Sequence, residues 1–142
     1  MSEYKCAGKK RPAKDTAWKW FSKYIRLRDC LATTGTDDRC VCVTCGKIVY
    51  DGDGLEAGHA IPRRHNAVLF DPTIVYGQCH TCNYTNKGER QAFRMFLVNK
   101  HGEEWMQYKE DGAKKSVFIT DDEFRLIGDH YRKAYKKLLG GV

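Results

Sequence analysis

The sequence predicts an α+β fold: a small cross-linked core of strands and one helix, flanked by an N-terminal and a C-terminal helix. Three observations predict it. Helical patterning fills both ends of the 142-residue chain, residues 35–90 are rich in turns, and two C-x-x-C pairs fall within that stretch. So few long apolar runs cannot bury much of a core, so a cross-link or a metal is expected there. Residues 1–14 read as a basic arm and 15–142 as a single domain, with a helix over 16–33, a clipped core over 40–99 and a C-terminal helix over 121–139.

Charge limits the partners. Lysine and arginine total 25 against 18 aspartates and glutamates, a formal +7 at pH 7. Such a balance favours polyanions, nucleic acid above all, through phosphate neutralisation and counterion release. No run approaches the about 18 apolar residues of a membrane span, so no membrane partner is expected. The start, "MSEYKCAGKKRPAK", lacks the apolar stretch of a secretory signal, and a cytoplasmic location is expected. Lys9, Lys10 and Arg11 within it are candidate DNA contacts; a solvated tail is the alternative.

From Thr16, "TAWKWFSKYIRLRDCLA" repeats apolar residues at helical spacing. Trp18, Phe21, Ile25 and Leu27 fall near one side, while Lys19, Lys23, Arg26 and Arg28 populate another that faces water or DNA. Asp15 or Thr16 suits the starting cap, and Gly35 lies past the end. Residues 36–79 read as turns and short strands, with "DGDG" at 51–54 turning the chain between "KIVY" and "LEAGHA". Helix resumes from Cys82, with Phe93, Phe96 and Leu97 as its apolar stripe and Gly102 as its cap. "KSVFI" reads as a strand. The last helix opens on a capping box, Thr120 with Glu123, and carries acidic residues in its first turn and lysines in its last.

"CVTC" at 42–45 and "CHTC" at 79–82 are the strongest local signals. Each turn can aim two sulfurs at one point, and together Cys42, Cys45, Cys79 and Cys82 complete a tetrahedral site for structural Zn²⁺. Four thiolates leave zinc no open position, which disfavours a zinc-dependent deaminase or hydrolase. A redox C-x-x-C needs a thioredoxin-like βαβ setting, and two pairs fit a metal better. Cys6, Cys30 and Cys40 are left as free thiols.

His59, in "EAGHAIPRRH", lies between the halves of the clip near a strand end, and Asn83 directly follows the last cysteine. Closing the clip brings strand end and helix start together, the ββα-metal architecture with a reaction centre in the crease. Hydrolysing a phosphodiester needs a base to take a proton from water and a cation to offset charge on the leaving oxygen. A neutral imidazole at His59 suits the first task. A Mg²⁺ or Mn²⁺ ion held by oxygen ligands, the Asn83 amide among them, suits the second. Arg63, Arg64 and Lys87 can clamp phosphates, and one helix face would present both Asn83 and Lys87. His65 stays open between phosphate contact, metal ligand and surface residue. His80 is expected to be exposed; His101 and His130 read as structural.

The segments "CVTCG", "EAGH" and "QCHTCNYTNKG" resemble the HNH (His-Asn-His) nuclease superfamily with its zinc-clipped ββα fold. More narrowly, "WFSKYIRLRDC", "AGHAIPRRH", "LFDP" and "QCHTCN" are similar to the phage lambda NinG (Rap) family of recombination endonucleases, over roughly residues 18–105. The resemblance implies a metal-dependent DNA endonuclease acting on branched recombination intermediates in the host cytoplasm, with His59 matching the general base and Asn83 a metal ligand. It leaves room for a homodimer and for recombination proteins as partners. Many HNH enzymes carry an aspartate ligand before the base, where this chain has Gly58. Related nucleases with Asp-Arg-Gly-His share that glycine, and "EAGH" matches them with Glu56 as the acid, a further candidate ligand beside His65. The middle motif asparagine falls at Ile74, so the brace for the base is expected from Asn66 or Asp71. The alternative class is a non-catalytic zinc module that binds DNA or another recombination protein.

Overall fold

A computed structural model describes residues 11–141, so Lys5, Cys6, Lys9 and Lys10 lie outside the described residues. Helix α1 runs Pro12–Thr34, beginning ahead of the expected Thr16. Pro12 opens it: the N–H that proline lacks has no partner in a first turn, and its fixed φ suits a helix. Neither Asp15 nor Thr16 therefore caps α1. Arg11 holds the N-cap position, with Nη2 3.5 Å from Asp121 Oδ1. At the other end Gly35 takes the left-handed conformation (φ 77°) and its N–H bonds Leu31 O.

Helix α4, Asp121–Gly140, lies against α1 and starts at the expected capping box, with Glu123 N donating to Thr120 Oγ1 and Thr120 N to Glu123 Oε1. The helices come closest at Gly128, where an added Cβ would stand 3.3 Å from Ala17 Cα. Phe21 meets Tyr131 edge-on, ring centroids 4.8 Å apart.

Two antiparallel two-stranded sheets fill the middle. Strand β1 (Arg39–Val41) pairs with β2 (Ile48–Tyr50), and β3 (Leu55–His59) with β4 (Val75–Cys79), in the register Leu55↔Cys79, Ala57↔Gly77 and His59↔Val75. The turn at 51–54 thus links one sheet to the next instead of joining β2 and β3 as a hairpin; Gly52 and Gly54 take it through positive φ.

Arg28 departs from the expected solvated basic face. It donates to Asp29, to Pro72 O and to Val75 O, while buried Asp29 accepts from Gly77 N at 2.7 Å. Consecutive residues of α1 thereby staple the helix to β4. Arg26 is likewise occupied, with Asp51 at 2.8 Å.

The helix expected from Cys82 is broken. A π-helical turn, Thr81–Thr85, is followed by left-handed Lys87, Gly88 and Glu89 (φ 55°, 94° and 50°) before α2, Arg90–His101. Asn83 and Lys87 therefore share no helix face. A further helix, α3 (Glu103–Ala113), follows Gly102 and buries Met106. Residues 115–119 form no strand: no described strand pairs with them, and Phe118 is exposed. The main core joins Phe21, Ile25, Ile74, Val75, Phe93, Leu97 and Met106; a smaller cluster of Cys30, Cys40, Val49 and Leu55 lies beside the clip cysteines.

Candidate functional site

The connection from β1 to β2 carries the first cysteine pair. Cys42 N donates to Lys47 O, and Gly46, at φ 77°, returns its N–H to Cys42 O. The second pair straddles the end of β4 and the π-turn. All four Sγ atoms lie within 4.8 Å of one another. A zinc tetrahedron with Zn–S bonds of about 2.3 Å has edges of about 3.8 Å. The Cys45–Cys79 Sγ separation is 3.8 Å.

The surroundings suit thiolates unequally. Burial works against ionising Cys42, yet donation from the Cys79 and Cys45 backbone outweighs it and brings the thiol down to about 6. Burial pushes Cys82 up to about 12 and raises Cys45. Four sulfurs this close cannot all ionise without a cation among them, and a soft divalent ion such as Zn²⁺ matches the donor set. The cluster could hold structural zinc. Cys30 and Cys40, buried and pushed by that burial up to about 12 and about 11, are inert thiols outside it.

The β3–β4 hairpin presents two faces, since side chains alternate along a strand. Leu55, Ala57 and His59 belong to the face toward α1. The His59 ring is 5% exposed and stacks on Trp18 at 5.4 Å, and its Nε2 lies 2.9 Å from Leu69 O. A carbonyl only accepts, so Nε2 carries the proton and Nδ1 holds the lone pair. Burial, reinforced by Arg63 and Arg90, lowers the ring to about 4. The brace is thus a backbone carbonyl. Neither expected residue fills that role: Asn66 donates to Val117 O, and Asp71 holds Thr73 and Lys109. Arg90 donates to His59 O and ties the strand end to α2.

Glu56 belongs to the opposite face. Its Oε1 accepts from Asn83 Nδ2 at 2.7 Å, and its Oε2 lies 2.6 Å from His80 Nδ1. His80 is exposed, as expected, and stacks on Tyr84. Gly58 shares this face, and its bare Cα is needed: an added Cβ would stand 2.0 Å from Gln78 Oε1.

The predicted residues therefore gather in three places. The four cysteines meet. Glu56 and Asn83 meet, with His80 beside them. Arg63 lies over the Trp18 ring at 4.2 Å, on the aromatic that stacks on His59. The side chains of Arg64 and Lys87 are exposed and have no hydrogen-bond partner among the described residues, and Arg11 lies over Phe124 as well as near Asp121. His65 is not brought to Asn83: it lines a groove of about 390 Å³ with Ile61, Arg90, Gln107 and Lys114. Sequence reasoning missed Trp18 as a ring partner, Arg90, and Gln78. None of the three carries a signal in residue type, and Gln78 comes opposite Glu56 only through the hairpin register.

These features define an α+β protein with a four-cysteine site that could hold zinc and an adjoining cluster of polar side chains. The chain belongs to the family described as Bacteriophage Lambda NinG protein, which matches residues 3–139. No curated protein and no solved structure matches it. Among the described residues, no helix is long and apolar enough to cross a membrane.

Proposed function

We propose that the chain is an HNH-type endonuclease, hydrolysing phosphodiester bonds of branched recombination DNA in the cytoplasm of a phage-infected cell. The observation that carries this reading is the buried, neutral His59, whose Nε2–H is committed to Leu69 O. Such a ring has one lone pair to give and one orientation in which to give it. Membership of the NinG family supports the recombination setting.

In the proposed reaction, Nδ1 of His59 takes a proton from water as the water oxygen bonds phosphorus and the bond to the 3′ oxygen breaks. Arg63 or Arg64 holds a neighbouring phosphate oxygen. The side-chain oxygen of Asn83 fits a hard cation, because Glu56 already occupies the Nδ2 end of the amide. A Mg²⁺ or Mn²⁺ ion bound there supplies charge to offset that on the leaving oxygen. His59 and Glu56 issue from opposite faces of β3. His59 would therefore act on the water alone, and a cation held by Asn83 would act on the leaving oxygen.

Gly58 favours a second reading, since the residue before the base brings no carboxylate: a catalytically silent zinc module that binds DNA or a recombination protein. Zinc-loaded protein incubated with linear duplex, single-strand, flap and four-way DNA, with and without Mg²⁺, separates the two. The nuclease reading expects Mg²⁺-dependent cleavage, strongest on branched forms. Binding with no cleavage of any form would leave the second.

A further inference from the structure

The side chain of Gln78 is fully buried, yet only half of its amide is satisfied. Nε2 donates to Thr44 Oγ1 at 2.9 Å and to Gly88 O at 3.0 Å, so both amide hydrogens are committed. Those two acceptors fix which end of the amide is oxygen, because turning it over would set oxygen against the Gly88 carbonyl. Among the described residues, Gln78 Oε1 is the buried side-chain atom left without a hydrogen-bond partner. A buried acceptor without a partner is costly and calls for a ligand.

Its location gives that ligand a chemistry. Gln78 pairs with Glu56 across the hairpin, so the two side chains share the face that Asn83 approaches. The amide leans along this face onto Gly58, its Oε1 2.0 Å and its Cδ 3.0 Å from where a Cβ would stand. The oxygen therefore occupies the volume of the missing residue-58 side chain, next in sequence to His59.

We propose that Gln78 stands in for the side chain absent at position 58: its carbonyl oxygen is a second protein ligand, beside that of Asn83, for a divalent cation in the crease. Two neutral amide oxygens suit a hard ion that keeps several waters, Mg²⁺ or Mn²⁺, and not a soft one. The inference rests on the nuclease reading for the use to which the cation is put, but its test reads ion binding and not cleavage.

Mn²⁺ titrated into the zinc-loaded full chain, followed by electron paramagnetic resonance, reports its dissociation constant directly. Zinc content reports the fold. Gln78→Ala is expected to weaken Mn²⁺ binding about tenfold or more, comparable to losing a supporting partner of a metal ligand. Gly58→Asp with Gln78→Ala, which returns a carboxylate to the cleared space, is expected to restore it. Gln78→Glu adds a charge at the same length and is expected to bind Mn²⁺ more tightly than the wild type. If Gln78→Ala loses its zinc and unfolds, the other two variants decide. Equal Mn²⁺ affinity in the wild type and every folded variant would overturn the proposal, as would a wild type that takes up no Mn²⁺ at millimolar concentration. Gln78-dependent Mn²⁺ binding by a protein that cleaves no DNA would instead remove the nuclease reading and leave this site standing.

Discussion

The carboxylate of Glu56 holds the amide of Asn83 by its nitrogen end, Oε1 to Nδ2, at 2.7 Å. Asn83 cannot then turn its nitrogen outward, and in the proposed reaction Glu56 would act on a cation through Asn83. Glu56→Gln removes the acceptor charge and lets the two amides pair either way round. The expected result is a Mg²⁺ requirement raised about 10–100-fold with zinc content unchanged, read from cleavage against Mg²⁺ concentration. An unchanged requirement would mean that Asn83 is oriented by something else.

Zinc removal tests the clip. The cluster of Cys30, Cys40, Val49 and Leu55 packs with the clip cysteines, and strands of three residues hold little by themselves. Structural zinc in small domains contributes about 10–16 kcal/mol of apparent binding free energy. Cys82→Ser, or a strong chelator, is expected to abolish the cooperative thermal transition of the sheets, and elemental analysis to find one zinc per folded chain. Survival of the transition in a zinc-free sample would show that helix packing alone carries the fold.

Burial holds His59 at about 4 against its ordinary 6.5. Between those values the unfolded chain binds a proton that the folded chain refuses, so folding stability rises with pH across the window. His59's contribution is full above pH 6.5 and is lost as pH falls through about 4. The loss is on the order of 3 kcal/mol. Urea unfolding at pH 7 and pH 4 should show this drop in the wild type and a smaller one in His59→Gln, which has no ring to protonate. Equal drops would place the acid sensitivity elsewhere.

Asp29 joins α1 to β4 and to the turn before it: it pairs with Arg28, which reaches Pro72 O and Val75 O, and it accepts from Gly77 N. Asp29→Ala leaves a part-buried guanidinium and a buried N–H without their carboxylate. The expected cost is about 3 kcal/mol, seen as a lower urea midpoint with unchanged zinc content. A cost within about 0.5 kcal/mol would be that of an ordinary surface change.

What the sequence made legible was what short-range chemistry fixes. Cysteine spacing places four sulfurs because each turn is local, and Thr120 with Glu123 names a helix start because both partners lie within one turn. Gly35 announces the end of α1 for the same reason. Long-range pairings were not legible. Arg28 reads as one more charge on a basic face until β4 arrives beneath it. Lys87 and Glu89 are poor choices for left-handed backbone, so in "NYTNKGER" only Gly88 hints that the helix breaks there. Leu69 could not be named as the brace for His59, since a backbone carbonyl carries no signature in residue type. Gln78 became visible only once the hairpin register set it beside Gly58.

His59 is the group proposed to take the proton from water. Single-turnover cleavage of a four-way DNA in Mg²⁺, by zinc-loaded wild type and zinc-loaded His59→Ala, measures this directly. The wild type is expected to cleave, and the variant to be slower by about 10²–10⁴-fold, the range of a lost general base. Equal rates in the two proteins, or a wild type that binds the junction and leaves every strand intact, would contradict it.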